Sequence, residues 1–339
     1  MPKINRKSKT IDDFIIDYLE FCSYKNLSIK TIKSYHQTLM LFSQWLNELK
    51  EITDIKKVNK EIVEDYLRFT RERGKYTFTC NPEGASIANL DKRENDGKTI
   101  AISTLNGYLR NIKSFATYLE ENNICKNTKI HSCKFLKTER KAKEQLTDEE
   151  YKKLIKSLDL SKFYQFRDFV VINLIFDSGM RLGETLSLNI YNLDIARRTI
   201  LIPANTTKSK KDRVVFFSSN MSKLLQRWLK YKDAMVETDL LFPAQRTNAV
   251  LSIGNFEKNF RVYLKKAKIN KKITPHGLRN NFCRRFILAG GNLLVLSKIL
   301  GHSSVKVTES AYLDLQSEDL RRKYQAYSPL ANMDNDRGY

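Results

Sequence analysis

Residues 163–188 read FYQFRDFVVINLIFDSGMRLGETLSL, and the fold of the second half of the chain turns on this stretch. Phe163, Phe166, Phe169, Val170, Val171, Ile172, Leu174, Ile175 and Phe176 fall on every side of a helical turn. A helix over 163–178 therefore has no polar stripe to offer water and must be the buried centre of a domain. Gly179 suits a helix C-terminus, where a left-handed residue commonly ends the run. Arg181 then begins a short following helix while still embedded in apolar sequence. An unpaired guanidinium in such a place costs on the order of 3–5 kcal/mol, so Arg181 needs an anion. That anion is either Glu184, three residues on, or a phosphate, with Glu184 orienting the arginine from behind.

Working outward, Thr199 to Pro203 and Arg213 to Phe217 are β-rich runs flanking the basic segment ANTTKSKKD, which predicts a hairpin with Lys208 near its tip. Helices are expected near 220–234, 253–268, 276–289, 292–300 and 304–314. Upstream, Thr147 and Glu150 have the spacing of a capping box, opening a helix that runs to about Leu158. Residues 124–145 hold seven Lys or Arg, few large apolar residues and no clear period, the pattern of an interdomain linker. Before it, apolar residues recur at steps of three and four: Ile11, Ile15, Tyr18 and Cys22; Ile32, Tyr35, Leu39, Phe42 and Leu46; Ile62, Tyr66 and Phe69; Leu105, Tyr108, Ile112, Phe115 and Leu119. Four amphipathic helices of this size make a small helical domain. The Gly-, Asn- and charge-rich residues 74–98 form a loop or hairpin inserted between its third and fourth helices. The expected organisation is a helical domain over 1–123, a basic linker over 124–145, a mainly helical domain with one small sheet over 146–327, and a tail over 328–339.

The chain has 339 residues, with 60 Lys+Arg against 38 Asp+Glu and a formal net charge of +22. Solvated faces explain abundant charge but not so lopsided a sign, which points to a polyanion such as DNA as partner. The run from Lys258 to Lys272, with seven basic and no acidic residues, reads as a solvated helix face that also grips DNA backbone. No apolar run approaches the roughly 20 residues that span a bilayer, and the amino-terminal MPKINRKSKT lacks an apolar leader core. A cytoplasmic protein without a membrane partner is expected. Five scattered cysteines argue against a disulfide framework. Cys125, His131 and Cys133 lack the paired short spacings of a zinc site, and no metal or other cofactor is expected.

Six residues carry the candidate chemistry: Arg181; Lys208 in TTKSKKDR; His276 and Arg279 in HGLRNNF; His302 in LGHSS; and Tyr312 in TESAYLDL. Guanidiniums bind phosphate oxygens bidentately, imidazoles donate or shuttle protons, an ammonium acts as an acid, and a phenol is a competent nucleophile. Each has a plainer reading. His276 could cap or pack locally, Arg279 could sit on the surface beside Arg284 and Arg285, and His302 could be structural. Lys210 and Lys211 compete with Lys208, and Tyr324 and Tyr327 with Tyr312. A carboxylate cluster that would hold a metal is missing from the series.

Taken in order, the series resembles the tyrosine recombinase (phage integrase) family, whose pattern is Arg, Lys, His-x-x-Arg, His or Trp, then Tyr; the match spans roughly 145–325. The resemblance implies a mainly α protein in which a SAM-like core-binding domain and a catalytic domain close around duplex DNA as a C-shaped grip. It implies that Tyr312 attacks a backbone phosphate to give a 3′-phosphotyrosyl link while Arg181, Arg279, His276 and His302 stabilise the transition state and Lys208 protonates the leaving 5′ oxygen. It further implies specific recombination sites, a tetramer on DNA docked through the tail from Leu313, accessory DNA-bending proteins in some systems, and integration or excision of a mobile element, with resolution of chromosome dimers as the housekeeping alternative. This chain departs from the pattern at one place: Tyr312 lies ten residues after His302 rather than the more usual nine. Type IB topoisomerases share the residue set, and a non-catalytic DNA-binding regulator could share the fold.

Overall fold

A computed structural model describes residues 9–75, 77–78, 97–126, 128–138, 144–204, 212–301, 321 and 324. The chain divides into two compact units, Met1–Arg140 and Lys141–Tyr339.

In the first unit, α1 (Ile11–Tyr24), α2 (Ile29–Lys50), α3 (Lys60–Arg73) and α4 (Ile102–Glu121) pack around one apolar core. Thr10 and Asp13 close a capping box at the start of α1, and Ser28 and Asn59 cap α2 and α3 through their side-chain oxygens. Tyr18, Phe42, Trp45, Tyr66 and Phe115 are buried and in ring contact along the core. Of the segment read as a linker, Cys125, Ile130 and Cys133 are buried in this core, and Lys113 fastens the segment by donating to the carbonyls of His131 and Cys133 at 3.0 and 2.6 Å. The base of the 74–98 insertion is pinned by backbone bonds between Lys75 and Lys98 and between Gly97 and Lys75; residues 79–96 lie outside the described set.

The second unit is built around α6 (Phe163–Ser178), which is buried on nearly all sides. Around it stand α5 (Asp148–Lys156), α7 (Leu182–Leu186), α8 (Ser219–Asp233), α9 (Ile253–Lys266), α10 (Pro275–Leu288) and α11 (Leu293–Leu300). The Thr147–Glu150 capping box opens α5. Beside the helices lies a three-stranded antiparallel sheet of β1 (Leu193–Asp194), β2 (Thr199–Ile202) and β3 (Arg213–Phe216), in the order β1-β2-β3. The sequence predicts only the β2–β3 hairpin. β1 is two residues long, too short to carry a period, and it exists because Leu193 and Asp194 pair with Ile200 and Thr199.

Charge is buried in α6 as well. Arg167 and Asp168 are 3 % and 0 % exposed, and Asp168 accepts from Arg167, from Asn259 at 2.9 Å and from Tyr263 at 2.8 Å. The carboxylate is therefore fully hydrogen-bonded, the condition under which a buried ion pair is tolerated, and it ties α9 to the central helix.

Candidate active site

The site begins where α6 stops. Gly179 caps α6 in the left-handed region at φ +69°, and a Cβ there would lie 2.4 Å from a ring atom of Phe282 and 2.9 Å from Leu300. Glycine is required twice over, by the backbone sign and by the close approach of α10. The turn delivers Arg181 to the position just before α7, where its extended backbone precedes the helix.

Glu184, on the first turn of α7 and 4 % exposed, is the hub. Its Oε1 accepts from Arg181 Nη1 at 2.8 Å and Arg213 Nη1 at 3.0 Å, and its Oε2 accepts from the Arg181 backbone N–H at 3.0 Å and Arg213 Nη2 at 2.5 Å. Burial alone pushes the Glu184 carboxyl up. Hydrogen bonds and charge from Arg213, and then from Arg181, outweigh that and hold it below the usual carboxylate range. Glu184 is thus a partner of Arg181, as one of the two sequence readings has it, and it holds a second guanidinium besides. Arg213 was not among the candidate residues. The sole sequence signal for it was an arginine opening a β-rich run, which alone is indistinguishable from a strand-edge charge.

Arg181 spends one side-chain N–H on Glu184, and 36 % of its side chain is exposed. Arg279 is held differently. Thr274 caps α10 through its hydroxyl and Pro275 follows at the first helical position; one turn further, Arg279 is 2 % exposed. It donates from Nη1 to the Gly179 carbonyl at 2.6 Å and from Nη2 to the Leu300 carbonyl at 2.9 Å. Those carbonyls stand at the C-terminal ends of α6 and α11, where the helix dipoles are negative and carbonyls lack intrahelical partners. Burial, and then the charge of Arg181, push the guanidinium down to about 10, which leaves it cationic at neutral pH. The surface alternative for Arg279 does not hold, because the helix face that carries it packs on α6. His276, on the first turn of α10, is exposed.

Arg181 and Arg279 thus fall in one region with Glu184 and Arg213, and His276 lies one turn before Arg279 on α10. Lys208, His302 and Tyr312 lie outside the described residues, as do Lys210, Lys211 and Tyr327. Tyr324 is 63 % exposed.

On α9 and just beyond it, Lys258, Arg261, Lys265, Lys266 and Lys268 are exposed, while Lys271 is tied to Glu150 at 2.7 Å and the Gln145 carbonyl at 3.0 Å. Among the described residues no group of three or more His, Cys, Asp or Glu is arranged to hold a metal. Cys125 and Cys133 donate to the carbonyls of Ile55 and Lys60, and His131 pairs with Glu120 at 3.2 Å. No helix among the described residues is long and apolar enough to cross a membrane.

Residues 144–319 match the model of the phage integrase family, and residues 15–90 match that of the phage integrase N-terminal SAM-like domain. Among curated proteins, tyrosine recombinase XerC of Chlamydia caviae is 28% identical over 86% of this chain and 90% of its own length. Tyrosine recombinase XerD of Listeria monocytogenes is 24% identical over 95% of this chain and 100% of its own. Among solved structures, the Tn1549 transposon integrase in complex with a circular intermediate DNA has a TM-score of 0.69 at 16% identity, covering 94% of this chain and 100% of that one, a likeness of fold.

Proposed function

The chain belongs to the phage integrase family of tyrosine recombinases, enzymes that break and rejoin DNA in site-specific recombination, and from that premise we propose how its residues divide the work. The observation that carries the assignment is the Arg181–Glu184–Arg279 arrangement. It holds two guanidiniums at one turn, one anchored by a carboxylate and the other by helix-end carbonyls.

In this assignment Tyr312 Oη attacks a backbone phosphorus. The P–O bond to the 5′ oxygen breaks, and the protein is left joined to the 3′ phosphate. Arg181 and Arg279 neutralise the charge that grows on the non-bridging oxygens, supported by His302. His276, on the exposed first turn of α10, receives the phenol proton. Lys208 protonates the leaving 5′ oxygen. The phosphodiester bond energy is retained in the link, so the reverse attack by a 5′ hydroxyl rejoins the strand without a nucleotide cofactor. Exchange between two duplexes needs four active sites, hence a tetramer assembled on DNA. Similarity to a transposon integrase fold and to XerC and XerD recombinases supports recombination at defined sites, with integration or excision of a mobile element as the specific reading. Relaxation by a type IB topoisomerase is not favoured, since the curated relatives are recombinases.

The test is to trap the protein on DNA in cells expressing it, digest, and sequence the covalent junctions. Junctions clustered at one or a few sites, joined through a 3′ phosphate, are expected; absence of any adduct would sink the assignment. A duplex carrying the mapped junction then serves for kinetics. Lys208→Ala is expected to cut it poorly and to recover when the bridging 5′ oxygen is replaced by sulfur, a leaving group that needs no proton. If Lys210→Ala shows the rescue and Lys208→Ala does not, the acid is Lys210.

Binding is expected to be dominated by phosphate contacts, in keeping with the net charge of +22 and the exposed bases of α9. Affinity for duplex should fall about a thousandfold or more between roughly 50 and 200 mM salt if six or more phosphates are neutralised. A titration showing a nearly flat response would refute this electrostatic account.

A further inference from the structure

The resting partner of Arg181 is a carboxylate, and this raises a chemical difficulty. A buried carboxylate three residues from an arginine forms its strongest pair with that arginine by forking onto it with both oxygens, which would use up the N–H groups meant for a phosphate. In this structure the fork goes elsewhere. Arg213 takes both Glu184 oxygens, at 3.0 and 2.5 Å, and the Arg181 backbone N–H takes a further position at 3.0 Å. One acceptor site on Oε1 is left for the Arg181 side chain, which fills it with Nη1 at 2.8 Å. With four donors on its two oxygens, Glu184 has no capacity left to engage Arg181 further.

Arg213 is itself locked in place. Its side chain is 9 % exposed, and its stem runs against Gly301, where a Cβ would lie 2.6 Å from Cδ and 3.0 Å from Nε. Gly301 has φ +63° and ends α11, so the absence of a side chain there serves both the helix end and the passage of the arginine. Nε is buried without a hydrogen-bond partner. The guanidinium edge towards Glu184 therefore carries its described hydrogen bonds.

We propose that Arg213 is a positioning residue that saturates Glu184 and so keeps the outer edge of Arg181 available to the scissile phosphate. This deepens the assignment of Arg181 above and rests on it. Without Arg213, Glu184 recovers two acceptor sites, rotates to fork onto Arg181, and draws that guanidinium away from the phosphate position. Displacing such a group by about 1 Å costs roughly a hundredfold in rate.

The experiment uses the full-length protein and the duplex carrying the mapped junction, nicked so that the cleaved fragment diffuses away. Single-turnover adduct formation, DNA affinity and thermal melting are measured for Arg213→Ala, Arg213→Lys and the double variant Arg213→Ala/Glu184→Gln. Arg213→Ala is expected to form adduct about a hundredfold more slowly with DNA affinity within a few fold of wild type. The double variant should regain at least tenfold of that loss, because an amide cannot hold Arg181 as an ion pair. A merely structural arginine gives the opposite order, the double variant being no faster than Arg213→Ala. Should Arg213→Ala not fold, Arg213→Lys carries the test: a point charge leaves one Glu184 oxygen open, so its cleavage drops at least tenfold and is regained on adding Glu184→Gln. Wild-type rates in the folded single variants, or a folded double variant without recovery, overturn the proposal. An absence of adduct from the wild-type protein fails the underlying assignment instead, so the two failures are told apart.

Discussion

Tyr312→Phe is expected to bind and pair DNA sites normally and to form no covalent adduct at all. Only one oxygen is lost and the ring remains, so any defect is chemical and not a matter of packing. Tyr324→Phe and Tyr327→Phe should still form the adduct; the exposed side chain of Tyr324 gives its substitution little structural cost. Denaturing gels of each variant on the mapped duplex, followed by peptide mapping of the labelled product, decide the matter. The ten-residue step from His302 to Tyr312 adds a further expectation. If the nucleophile is delivered only on assembly, deleting one residue between Ser303 and Ala311 changes the cleavage rate while leaving affinity largely intact. An adduct that persists in Tyr312→Phe and maps to another tyrosine would overturn both the assignment and the argument from spacing.

Arg181→Ala should lose on the order of 3–4 kcal/mol of transition-state stabilisation, a hundredfold to a thousandfold in cleavage, with much less change in binding. Arg181→Lys is expected to fare little better. An ammonium can keep the ion pair with Glu184 but cannot serve that carboxylate and a phosphate from two edges at once. Near-normal cleavage by the lysine variant would mean that Arg181 does no more than pair with Glu184. Arg279→Ala should be as slow, yet it is a less clean probe. Removing it strands the Gly179 and Leu300 carbonyls in a buried place, at about 1–3 kcal/mol for each group left unsatisfied. Its kinetics therefore have to be read beside a melting curve, whereas Arg181, at the edge of the site, can be read alone.

The frame of the second unit was legible because its signals are local. The all-round apolar α6, its glycine stop and the Thr147–Glu150 box each lie within a few residues of sequence, and each appears in the structure. What could not be read depends on partners far away. Nothing near Asp168 in sequence says how a carboxylate is accommodated in so apolar a helix; Asn259 and Tyr263 satisfy it from about ninety residues on. Arg279 is a candidate in sequence, but that it is buried and fastened to the ends of α6 and α11 is visible only in the fold. Arg213 becomes part of the site only through the sheet register and the missing side chain of Gly301. The residue types of the candidate site were therefore visible, and the supports that hold the described ones in place were not.

Fastening Arg279 to helix ends has a consequence for evolution as much as for chemistry. Among the described residues, three guanidiniums share a poorly solvated place with one carboxylate, and Arg279 feels the charge of both Arg181 and Arg213. This repulsion is present before DNA arrives and lowers the cohesion of the empty unit. On the proposed assignment a bound phosphate relieves it, so by linkage whatever firmness the empty fold gives up is returned as affinity. Deleting a positive charge here would relieve the repulsion only by stranding Glu184 or the helix-end carbonyls, so selection has no easy route to a firmer empty site that gives up the anion.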